Sequence, residues 1–136
     1  MLRSKVIPPH LAAAWEEFQA QAARIERARR ALLGCLPVGR VDPAPVPVAL
    51  QLLRDEALAV REEMGGWRAP EVERAWLRCE AAVDEAVQSL PRAREVAESS
   101  TELDALLDAV AGVVEPLDAW HDAERHWLSL RVRRRR

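Results

Sequence analysis

Apolar residues recur at steps of three and four through most of this 136-residue chain, a period that fits helices and no other regular element. The last quarter shows it most clearly. Leu103, Leu106, Leu107, Val110, Val113, Val114 and Leu117 form one stripe of a helix turning about 100° per residue. The stripe is wide and strongly apolar, so it has to be buried against other elements. The spacing predicts one long amphipathic helix within residues 101–136. Ser99, Ser100 and Thr101 each suit an N-cap, and Ser99 with Glu102 has the spacing of a capping box. Pro116 falls inside the pattern. It has no N–H for the Gly112 carbonyl, and its ring crowds that carbonyl. The period resumes at Leu117, Trp120, Trp127 and Leu128, so a kink is expected there, with Gly112 leaving room for it.

Three earlier segments carry the same period. Pro8 and Pro9 suit the start of a first helix running to about Leu33, with Leu11, Trp15, Phe18, Ala22, Ile25 and Leu32 as its seam and Arg29 interrupting it. Arg24, Arg27, Arg29 and Arg30 crowd its last turns, where cations oppose the helix dipole favourably, and Gly34 supplies the stop. Pro37, Gly39, Pro43, Pro45 and Pro47 make the next stretch a stiff loop, and alternating prolines over residues 42–48 favour polyproline-II geometry. A second helix opens at Pro47 with Leu50, Leu53, Ala57, Val60 and Met64 as its seam, and Gly65 and Gly66 end it. A third opens at Pro70. Val72, Trp76, Cys79, Val83, Ala86, Leu90, Ala93 and Ala97 hold its period past Pro91, which predicts one kinked helix. No strand pattern is present. The expected fold is all-α: a single domain over residues 1–136, an antiparallel four-helix bundle with a proline-rich loop between helices 1 and 2 and proline kinks in helices 3 and 4.

Composition supports a folded domain, with 49% apolar and 31% charged residues. The net charge of −2 hides an asymmetry, because five of the six residues 131–136 are arginine and the rest carries −7. The strong preference for arginine over lysine, with abundant Ala and Val, points to a high-GC bacterial genome. Two cysteines, Cys35 and Cys79, are too few for a disulfide framework or a zinc site and are expected reduced. Residues 1–10 lack the apolar run of a signal peptide, and no window has the length of a membrane span. A cytoplasmic protein with no membrane association is therefore expected.

The sequence offers little chemistry. The glycines form no phosphate-binding loop, no serine sits in a strand–turn–helix elbow, and Asp118 with His121 gives only a single, wrong-acid approach to the Glu-x-x-His motif of di-metal bundles. No enzyme activity, metal or cofactor is expected. Binding is the remaining class. Trp120 and Trp127, two turns apart on the edge of the apolar stripe, combine with Arg131 and Arg133 in the residue types enriched at binding hot spots. They predict a surface for a protein partner or a second copy, with a homodimer as the expected assembly. A second reading takes the basic tail at residues 131–136, with Arg134, Arg135 and Arg136 joined by Arg3 and Lys5 where the chain ends meet, as a site for nucleic acid or another polyanion. A third takes His121 and Glu124. Extrapolated from Val110, both point towards the bundle, either pairing at an open bundle end or holding a small ligand.

Overall fold

The computed structural model describes residues 5–36, 45–100 and 102–133. Five α-helices carry the fold: α1 (Ala12–Gly34), α2 (Val46–Glu63), α3 (Glu73–Ser99), α4 (Leu103–Val114) and α5 (Ala119–Ser129). They make an all-α bundle of four positions, with α4 and α5 sharing the fourth. α1 packs beside α2, α2 beside α3 and α3 beside α4, and α3 also touches α5. The helices run antiparallel. Early α1 meets late α2 at Gln21 and Glu63, and late α2 meets early α3 at Arg61 and Glu80.

The seams of the second and third helices are buried at every expected position. The first helix differs by one step. Phe18, Gln21, Ile25, Ala28 and Leu32 face the core, while Trp15 and Ala22 are only half-buried. Gln21 takes a core place because both ends of its amide are matched. Its Nε2 donates to the Glu63 carbonyl at 3.0 Å, and its Oε1 accepts from Trp67 Nε1 at 2.9 Å. Arg29 lies beside the seam, with Ala28 filling the core in its place.

Glycines 65 and 66 do not simply break the chain. Met64–Trp67 forms a 3-10 turn, and Trp76 Nε1 donates to the Met64 carbonyl at 2.8 Å. The joint is closed further by the Arg68 guanidinium, 4.1 Å from the Trp76 ring centroid, a cation–π contact.

The prolines act in three ways. Residues 37–44 of the proline-rich loop lie outside the described residues, but Val46, Pro47 and Val48 belong to the first turn of α2 and are not polyproline-II. A first-turn proline removes only an N–H that has no helical acceptor. Pro91 sits within α3, which continues unbroken to Ser99. Pro116 interrupts the hydrogen-bond pattern instead. A 3-10 turn, Pro116–Asp118, separates α4 from α5, although Glu115, Asp118 and Ala119 keep right-handed helical dihedrals.

Two details depart from the sequence reading. Ser99 does not cap α4; it remains in α3 and its hydroxyl donates to the Glu95 carbonyl, while Ser100 Oγ accepts from the Glu102 N–H. A short ladder is also present. β1 (Lys5–Val6) pairs antiparallel with β2 (Val132–Arg133). Two residues are too few to show period-two alternation in a sequence. No helix among the described residues is long and apolar enough to cross a membrane.

Candidate functional site

The Pro116–Asp118 turn decides which residues of α5 face outward. Its residues do not continue the uniform α-helical turn of α4. The register carried from Val110 does not extend into α5. Leu117, Trp120, Ala123 and Trp127 take the inward positions, and His121 and Glu124 are exposed. The expected core-facing pair is thus a surface pair.

The expected tryptophan partner surface is corrected for the same reason. Trp120 is 2% and Trp127 0% exposed. They close α5 onto α1 through an aromatic cluster. Trp127 lies 5.5 Å from Trp15 and 6.0 Å from Phe18, Trp120 lies 5.7 Å from Phe18, and Trp67 meets Phe18 edge-on at 4.9 Å. These are core contacts at the usual aromatic separations. Among the described residues the indole N–H groups of Trp120 and Trp127 have no acceptor.

Outside this cluster, α1 and α5 leave a groove of about 350 Å³, within the size range of small-molecule sites. Its floor is apolar, made by Ala22, Ile25, Leu117 and Trp120, and its rim carries Gln19, Glu26, Arg30, His121 and Glu124. His121 Nε2 stands 3.1 Å from Glu26 Oε2, where the imidazole N–H donates to the carboxylate. Arg30 Nε donates to the other oxygen of Glu26 at 3.0 Å. Burial pushes the Glu26 carboxyl up, but the hydrogen bonds from His121 and Arg30 and the charge of Arg29 outweigh it and hold the group below its ordinary value. Arg29 also reaches across to Asp118 at 2.7 Å. Glu124 makes no hydrogen bond or ion pair among the described residues, so its carboxylate is available at the rim.

His121 and Glu124 do come together at one site, though on the outside of the bundle. Glu26 and Arg30 complete the rim and were missed. The arginine cluster at the end of the first helix held the signal, because its members make cross-helix and local ion pairs. Arg24 binds Glu56 at 2.7 Å and Glu63 at 2.6 Å, both on α2.

The other candidates gather where the ends meet. The ladder sets Lys5 opposite Arg133, both exposed. Arg131 is exposed as well and its Nε donates to the Leu128 carbonyl. Arg3, Arg134, Arg135 and Arg136 lie outside the described residues. Nearby, His10 Nε2 pairs with Glu71 Oε2 at 2.5 Å and His126 Nε2 lies 2.9 Å from the Glu71 carbonyl oxygen. The His10 hydrogen bond holds the Glu71 carboxyl below its ordinary value.

Compared with family models, curated proteins and solved structures, the chain matches none.

Proposed function

We propose that this protein is a non-enzymatic binder of a small organic cation, held in the groove between α1 and α5. The observation that carries the reading is the placing of the Glu124 carboxylate, which has no partner among the described residues, beside an apolar floor of ligand size. An amine would pair with Glu124 while its hydrocarbon or aromatic body lies over Ala22 and Ala23, the more open apolar residues of the lining. Glu26 adds a second carboxylate, already anchored by Arg30 and His121.

The test is an amide-resolved NMR titration with phenethylamine against the wild type and the Glu124→Gln variant. Saturable shifts confined to α1 and α5, weakened in E124Q, support the reading. Shifts scattered over the surface, or equal in both proteins, overturn it.

A second reading places polyanion binding at the basic pole. It is favoured by the ladder, which sets Lys5 against Arg133 and so joins the two basic stretches of the sequence. Affinity for single-stranded DNA that falls steeply with salt would support it. Binding through a protein partner or a second copy has lost its two proposed tryptophan anchors to the core; Arg131 and Arg133 remain exposed for it.

A further inference from the structure

A second groove, on the opposite flank of the bundle, differs in chemistry from the first. It runs between α2 and α3, encloses about 320 Å³ and is lined by Leu50, Gln51 and Arg54 from α2 and by Val87, Leu90, Pro91 and Arg94 from α3. The floor is aliphatic, with Leu50 and Leu90 nearly fully buried beneath it. No carboxylate lines it, while two guanidinium groups do. Arg54 has no ion pair among the described residues, and Arg94 has only a 3.3 Å pair with Glu98 in which both side chains are more than half exposed. Such a pair is held weakly against solvent. Pro91 adds an unusual feature: it has no N–H to give to the residue four positions earlier, so the Val87 carbonyl on this groove lacks its helical donor.

We infer that this groove binds a medium-chain monocarboxylic acid. The hydrocarbon chain covers Val87, Pro91 and the aliphatic stems of Arg54 and Arg94, whose apolar surface is withdrawn from water. The carboxylate is held by Arg54 and Arg94, whose planar forks match its two oxygens. The absence of acidic residues from the lining is what selects an anion here, in contrast to the α1/α5 groove with its two carboxylates.

The experiment is a titration of the full chain with decanoate, kept below micelle formation, followed by amide-resolved NMR. Decanol serves as the uncharged control, and the Arg54→Gln/Arg94→Gln double variant as the site control. Both arginines are at the surface, so the variant keeps its fold, which circular dichroism verifies. The inference expects saturable shifts at residues 50–54 and 87–94, decanoate affinity lowered by about tenfold or more in the double variant, and decanol binding unchanged by it. Absence of saturation with decanoate, equal affinity in wild type and double variant, or shifts centred on α1 and α5 would each overturn it.

Discussion

Trp67 donates its indole N–H to Gln21 Oε1 at 2.9 Å inside the core, and the same glutamine amide donates onward to the Glu63 carbonyl. This is a fully matched polar link between α1 and the α2–α3 joint. Its removal from one side leaves a buried group without a partner. Gln21→Leu should therefore destabilise the fold by about 1–3 kcal/mol, read from urea unfolding. Adding Trp67→Phe to that variant should cost less than Trp67→Phe costs alone, since the orphaned N–H is then gone. Simple additivity of the two changes would show that the link carries no coupling.

The same substitution should behave differently at another tryptophan. Trp127 is as buried as Trp67, but its N–H has no acceptor among the described residues. Trp127→Phe then loses ring volume without orphaning a partner. It should cost about 1 kcal/mol less than Trp67→Phe, with the gap measured by paired urea melts. Trp127→Ala, which empties the site, should cost about 3–5 kcal/mol.

Acid should weaken the contact between α1 and α5. The Glu26 carboxyl in the folded chain lies below its ordinary value of 4.5. Its contribution is complete above that value and is lost as the pH falls through the lowered folded value. Glu26→Gln should thus be less stable than wild type at pH 7, with the difference shrinking as the pH drops towards 3. Denaturant melts at a series of pH values check the sign. A difference that grows on acidification would contradict the arrangement.

The two thiols should separate cleanly in reactivity. Burial, and then the charge of Asp122, pushes the Cys79 thiol up to about 12. Cys35 is only half-buried, at the end of the first helix. A thiol reagent at pH 8 should label one cysteine rapidly in native protein and the second only on unfolding. Peptide mass analysis should assign the rapid site to Cys35.

Much of this architecture is legible from the residues. The second and third helices follow their seams because each inward place holds an apolar side chain and glycine or proline marks the ends. The first helix slips by one step because Gln21 reads as polar. Its place in the core depends on Trp67 and the Glu63 carbonyl, which are remote in sequence. The candidate site was half legible. His121 and Glu124 stand out as unusual in the sequence, but their facing is reversed because the Pro116–Asp118 turn ends the single helix along which the register is counted. Glu26 and Arg30 were not recognised, since their meaning comes from what α5 sets across from them.

The order of packing bears on how the chain assembles. α1 pairs with α2, α2 with α3 and α3 with α4, each a neighbour in sequence. Contacts of that kind close short loops, and chains rich in them fold quickly. The contact of Trp15 with Trp127 is different, because it joins the first helix to the last. It closes a loop spanning most of the chain, so it forms after the hairpins have brought the two ends near each other. The aromatic clasp then acts late: weakening it speeds opening far more than it slows folding, which makes it the latch that sets how long the closed bundle lasts.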